Sequence, residues 1–329
     1  MIHTSSGSKR VPAMIRSAAA AVFCAITAAH AAEPYPANPI RIVVPYPAGG
    51  TTDQLARAVQ RPLSEALGQP VIVENKPGAG GTIGTDAVVR SAPDGYTLVF
   101  GNSGPNAIVS LMRKIPYDPL KDLQPISVVA IVPMILAVPA DSPIRTLREF
   151  IAQARRHPDW NYGSVGNGSL SHLTGEYFND LAGLKLTHIA CNGGAPMVTA
   201  FAGGQLHAAF VTGLDGASMM QAGRIRYLAV GTAQRSPVVP GLPAISEEVT
   251  GFKSVAWFGV FAPKGLPGDI AMMLNEAIIQ SVARPDVAKL LADRNVEARS
   301  STPDDLERLV KDDLQQWGEV VRKFSITAD

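Results

Sequence analysis

The sequence predicts an α/β protein of two lobes joined by two crossing segments, and three observations predict it. Short apolar, β-rich runs at Ile40–Val44, Val71–Glu74 and Tyr96–Phe100 are each followed by a glycine-rich turn. The first two turns open into helical patterns, and such repetition builds a parallel sheet. The apolar stretch Ile126–Val138, interrupted by Pro133, has the length of a strand that leaves one lobe and enters another. Finally, 30 glycines and 26 prolines in 329 residues supply the turns that many short elements require.

Taken in order, the chain opens with Lys9, Arg10 and Arg16 ahead of a small-residue apolar run, Ser17–Ala29. Ala29-His-Ala31 then fits a leader-cleavage pattern, so residues 1–31 read as a secretory signal peptide. The run is too short to span a membrane. Removing it leaves 298 residues, enough for two domains. It also takes three basic and no acidic side chains, so 26 basic face 28 acidic residues in what remains. A balance this close to neutral carries no footprint for nucleic acid. Of the two cysteines, Cys24 falls in the leader, so Cys191 has no disulfide partner.

The first unit is the strand 40–44, a turn through Gly49-Gly50, and a helix over 53–67 capped by Thr51, Thr52 or Asp53. The strand 71–74 leads into Asn75-Lys-Pro-Gly-Ala-Gly-Gly-Thr-Ile-Gly84 and a second helix, and Tyr96–Phe100 leads into a third polar loop, 101–105. Thr146–Arg156 is amphipathic, with Leu147, Phe150, Ile151 and Ala154 on one face. A fourth glycine-rich loop, 160–172, enters a helix over 171–182. Strands at 187–190, 207–211 and 227–230 alternate with helices at 196–203 and 215–222. Trp257–Ala262 returns the chain, and helices at 267–282, 284–293 and 303–323 complete it, the last with Thr302 as cap and Pro303 in its first turn. The lobes are therefore 32–134 with 255–329, and the inserted 135–254, hinged about a cleft that can close.

The chemistry these residues favour is binding. Gly101-Asn-Ser-Gly104 is one residue short of the serine-nucleophile motif. The histidines 157, 172, 188 and 207 lack metal-site spacing. Gly78-Ala-Gly-Gly-Thr-Ile-Gly84 lies too far from its strand for a dinucleotide fold. No cofactor is expected. Glycine-turn amides at strand ends and helix starts attract anions. Together with Thr51, Thr52, Thr82, Ser103, Ser164 and Ser169 they suit a carboxylate. On this reading Asp53 caps its helix, and Tyr46 walls the pocket or packs between the lobes. His172 supports the site from behind or lies on the surface of its helix.

Several motifs together resemble the solute-binding receptors of tripartite tricarboxylate transporters, the Bug proteins. They are Val44-Pro-Tyr-Pro-Ala-Gly-Gly-Thr-Thr-Asp53, Val73-Glu-Asn-Lys-Pro-Gly-Ala-Gly-Gly-Thr-Ile-Gly84, Pro93-Asp-Gly-Tyr-Thr97, Tyr162-Gly-Ser164, Ser171-His-Leu173, Gly194-Ala-Pro196, Gly223-Arg-Ile-Arg-Tyr-Leu-Ala-Val230 and Trp257-Phe-Gly-Val-Phe-Ala-Pro263. The resemblance implies a type II-like Venus flytrap in the periplasm, monomeric and without catalysis, passing a small carboxylate to the permease subunits of its transporter. It carries ligand contact to Tyr46, Ala48, Gly49, Thr51 and Asp53, to Ala79, Gly80, Gly81 and Thr82, and to Ser164, Gly166 and Ser169. Where the family often has acids in its second lobe, this chain has Ala200, His207 and Val211, and Cys191-Asn-Gly193 replaces Tyr-Lys-Gly. Fewer acids there favour a plain or aromatic mono-, di- or tricarboxylate over an amino acid. Two alternatives stand beside this one: an exported hydrolase using Ser103 or Ser164, and a ligand sensor that feeds a signalling partner.

Overall fold

β1 (Ile40–Val44) is buried at four of its five positions, as a strand covered on both faces must be. It pairs in parallel with β2 (Val71–Asn75) and β3 (Thr97–Asn102). In this computed structural model the described residues are 1–3, 34–191 and 194–327. All but the first three residues of the expected signal peptide, and the Asn192-Gly193 pair, lie outside them. Helix α1 (Thr51–Leu67) lays Leu55, Ala56, Val59, Leu63 and Leu67 on the sheet at helical spacing. Gly68 ends it in a left-handed conformation, φ 66°. Its start differs from expectation. The N-cap is Gly50, without a side-chain bond, so neither threonine nor Asp53 caps it.

After β2, a single 3₁₀ turn (Ala79–Gly81) leads into α2 (Thr82–Val89). The expected loop 101–105 is instead the last residues of β3 and the beginning of a π-helical turn, Gly104–Ile108, continued by α3 (Val109–Met112). Pro105 is tolerated there because a first helical turn needs no N–H from it.

β4 (Leu123–Pro139) is the long crossing strand. Up to Pro133 it runs antiparallel to β9 (Val255–Pro263), which also pairs with β3. The first sheet is therefore mixed, in the order β2-β1-β3-β9-β4, with β10 (Glu297–Ala298) on the far side of β4. From Met134 onward β4 joins a second sheet, between β7 (Ala208–Thr212) and β8 (Ile225–Val230). There β5 (Asn161–Ser164) pairs in parallel with β6 (Thr187–Ala190) and β7. The helices of this lobe are α4 (Leu147–Ala154), α5 (Leu170–Ala182), α6 (Gly194–Ala202) and α7 (Gly213–Gln221). Thr146 and Glu149 form a reciprocal capping box at the start of α4.

The chain returns at Ser254, and three backbone bonds knit the junction. Gly231 N–H donates to the Met134 carbonyl (2.6 Å), Ser254 N–H to Gly231 (2.7 Å) and Met134 N–H to Ser254 (3.3 Å). Helices α8 (Gly268–Val282), α9 (Pro285–Ala292) and α10 (Pro303–Phe324) follow, with Thr302 capping α10 through the Asp305 N–H. Trp317, Val320 and Val321 of α10 meet Ile108 of the first lobe and Leu173 of α5, so one apolar cluster spans both lobes. No helix among the described residues is long and apolar enough to cross a membrane.

Candidate functional site

A cavity of about 500 Å³ lies between the two sheets. That volume suits a small organic molecule. The turn at Ala79-Gly80, the last residue of β3 (Asn102) with Ser103 and Gly104 after it, and Arg113 line it from the first lobe. The turn 165–171, the end of β7 (Phe210, Thr212) and Asp215 line it from the second. Ile108, Met112, Leu170 and Phe258 give it apolar walls, and Met134 beside the junction contributes too. Polar groups thus come from strand ends and turns, where backbone donors converge, while apolar side chains come from the elements that join the lobes.

Of the residues singled out from the sequence, Tyr46, Ala79, Gly80, Ser103, Gly166 and Ser169 line this cavity, and Ala48, Gly49, Thr51, Asp53, Gly81, Thr82 and Ser164 do not. The second group sits behind or beside it. Asp53 is buried and accepts from Gly49 N–H (2.8 Å), Arg57 Nε (2.9 Å) and Asn75 Nδ2 (2.9 Å). Burial alone would raise its pKa, but these donors and the Arg57 charge outweigh burial and hold it below the ordinary value. The Gly49 amide is spent on this carboxylate. Thr82 Oγ1 donates to the Ala79 carbonyl (2.9 Å) and braces the turn. Gly81 sits at φ +93°, where a side chain is strained, and a Cβ would crowd Pro105 (3.0 Å) and the Tyr46 ring (3.2 Å).

Asn102 organises the first-lobe side. Its Oδ1 accepts from the Tyr46 hydroxyl (3.2 Å) and from Gly104 N–H (2.9 Å), and its Nδ2 donates to Thr52 Oγ1 (3.1 Å). Burial pushes the Tyr46 phenol up to about 12, so it stays a neutral donor. Arg113 Nη2 donates to the Ala79 carbonyl (2.5 Å), which places a guanidinium at the same turn. Neither Asn102 nor Arg113 stood out in the sequence. Arg113 lies in Leu111-Met-Arg-Lys114, a stretch without glycines or any recognisable pattern.

On the second-lobe side, Ser169 caps α5 and donates to the Gly166 carbonyl (2.6 Å). Ser164 is fully buried, with Oγ 2.7 Å from His188 Nε2 and donating to Gly166 O at 3.1 Å. His188 stacks on His172, ring centroids 3.6 Å apart, and His172 Nδ1 accepts from Gly168 N–H. These groups hold the turn's shape from behind. A buried hydroxyl so engaged cannot reach a substrate, and Ser103, also buried, has its Oγ 3.4 Å from the Trp257 N–H. Of the two serines of the hydrolase alternative, Ser164 does not line the cavity and Ser103 does, with little of its surface exposed.

Asp215, in the first turn of α7, is the other residue that sequence reasoning missed. Thr212 Oγ1 donates to its Oδ2 (2.6 Å) and accepts from its N–H (3.0 Å), a cap whose Thr-x-x-Asp spacing was legible in advance. Its Oδ1 faces Thr51 Oγ1 of the first lobe at 3.5 Å, the outer edge of a hydrogen bond. The carboxylate is open to the cleft, yet crowding by protein raises its pKa, and the two threonines only partly offset this.

Comparison with known proteins agrees with this architecture. Residues 55–326 match the family model described as the tripartite tricarboxylate transporter family receptor. Protein BugT of Bordetella pertussis is 37% identical over 302 residues, covering 91% of this chain and 93% of its own. Among solved structures, an R. palustris protein with adipate superposes with a TM-score of 0.78 at 33% identity, over 89% of this chain and 99% of that one. MatC from Rhodopseudomonas palustris with bound malate gives 0.73 at 31%, over 87% and 100%.

Proposed function

The chain belongs to the tripartite tricarboxylate transporter receptor family, periplasmic solute-binding proteins rather than enzymes, and from that premise we propose that its cleft captures a small organic carboxylate for a membrane permease. The observation that carries this reading is the make-up of the cavity. Its first-lobe side gathers Arg113, Asn102, Ser103, Tyr46 and the Ala79-Gly80 turn around one place, and its walls are apolar. Hydrogen bonds to a charged group are worth roughly 1.5–3 kcal/mol each, so two or three suffice to anchor a carboxylate whose carbon body rests on Ile108, Met112 and Phe258. The relatives solved with adipate and malate support the ligand class. In this reading residues 135–254 form the moving lobe, closing on 32–134 with 255–329, the receptor acts as a monomer, and an N-terminal signal peptide exports it. Ala48, Gly49, Thr51, Asp53, Gly81, Thr82 and Ser164 shape the loops that hold the ligand-facing groups.

The test is native mass spectrometry of purified protein, followed by thermal denaturation with adipate, malate and benzoate. A co-purified carboxylate, or a rise in melting temperature with one of the three, is expected. Ligand at a hundred times its dissociation constant should add about 2.7 kcal/mol. A flat response to all three, with nothing co-purified, counts against carboxylate capture.

A further inference from the structure

The cavity holds two opposite charges that do not pair with each other. Arg113 enters from the first lobe and Asp215 from the second, and no ion pair joins them among the described residues. Asp215 also has no other cation within salt-bridge distance among the described residues; its partners are the hydroxyls of Thr51 and Thr212. The cap at the start of α7 needs only Oδ2. Oδ1 is left facing the cleft, with one donor at 3.5 Å that belongs to the opposite lobe. Asp215 is exposed to the cleft in this structure. A ligand that fills the cleft takes Oδ1 out of water with one weak protein donor, and the ligand itself is the group positioned to bring a better one.

We propose that Asp215 selects, among carboxylates, those that carry an ammonium or hydroxyl donor at the end remote from the carboxylate. The inference rests on the carboxylate reading above and narrows it. It also supplies, in the first turn of α7, an acid of the kind missing at Ala200, His207 and Val211. The carboxylate goes to Arg113 and the Ala79-Gly80 turn, the carbon body to the apolar walls, and the donor to Asp215 Oδ1. A second carboxylate at that end would face a like charge, and a methyl group would leave the oxygen unsatisfied.

Titration calorimetry with hexanoate, adipate, 6-hydroxyhexanoate and 6-aminohexanoate tests this, because the four differ mainly at the far end. Wild-type protein should bind 6-aminohexanoate at least tenfold tighter than hexanoate or adipate, with 6-hydroxyhexanoate distinguishing a neutral donor from a cationic one. Asp215→Asn should lose that preference and gain at least tenfold for adipate. Asp215→Ser, which cannot reach as far, should lose the preference without the full gain. Equal binding of adipate and 6-aminohexanoate by wild type, unchanged in Asp215→Asn, overturns the role of Asp215 and leaves carboxylate capture standing. No binding of any of the four to protein that melts cooperatively overturns both.

Discussion

His172 and His188 stack face to face in the second lobe, directly behind the turn 165–171 that lines the cavity. Burial lowers both imidazoles to about 4, helped for His188 by its neighbour's charge. The native state therefore holds fewer protons than the unfolded chain between pH 6.5 and about 4. Their contribution to stability is complete above pH 6.5, is lost as pH falls through that window, and levels off below it. Glu176, raised by burial, works in the opposite sense. His188→Gln keeps a partner for Ser164 but cannot titrate, so thermal melts of this variant should lose less stability than wild type between pH 6.5 and 4. An unchanged slope would show that His188 protonates alike in the folded and the unfolded chain. At this scale the sequence was only partly legible. Turn residues such as Gly80, Gly166 and Ser169 advertise themselves through composition, because few other residues tolerate the backbone of the two glycines or cap a helix as the serine does. Arg113 and Asp215 do not. An arginine just past a helix or an aspartate in one looks the same whether it faces water or a cleft, and only contacts distant in sequence, Ala79 for Arg113 and Thr51 for Asp215, decide which.

Among elements, the crossing strand was the most readable. An apolar run of that length fits one lobe poorly, and its neighbour exchange between Pro133 and Met134 falls within the predicted stretch. The loop expected at 101–105 was misread because Gly-Pro normally signals a turn, yet here it opens a helical turn. β10 and the turn Ile245–Glu247 were too short to show any periodicity. The junction itself makes a sharper demand than its strands. A Cβ on Gly231 would stand 2.5 Å from the Ser254 carbonyl oxygen and 3.0 Å from that of Met134, both backbone atoms. Gly231→Ala must therefore spread the three segments, at a cost of roughly 1–3 kcal/mol. Gly268→Ala, with nothing within 4 Å of the new methyl, should stay within about 0.5 kcal/mol of wild type. Urea denaturation of the two variants checks the contrast, and equal midpoints would mean that the junction yields.

For the whole molecule, the lobes share more than a cleft. Ser254 Oγ lies 2.6 Å from Thr174 Oγ1, Tyr177 meets Trp317 edge-on, and Lys323 pairs with Asp180, so α10 of one lobe grips α5 of the other. The apolar cluster around Trp317 also includes Ile108, and Leu170 and Met112 pack against it; all three reach the cavity wall. A ligand body resting there touches the same side chains that hold the lobes together. The knitting of Met134, Gly231 and Ser254 has a further consequence, in time rather than in space. Met134 and Ser254 are hydrogen-bonded to each other although about 120 residues separate them. For an unfolded chain, bringing such distant points together costs entropy before any contact repays it. Once the intervening segment has folded, its two ends are already neighbours, and the β4–β9 ladder can zip from that point. The order of assembly follows: the inserted lobe first, then the sheet that surrounds it. Pulse-labelled hydrogen exchange during refolding should find amides of β7 and β8 protected before those of β9. Protection of β9 first would reverse that order, and simultaneous protection would make the receptor a single cooperative unit, born whole.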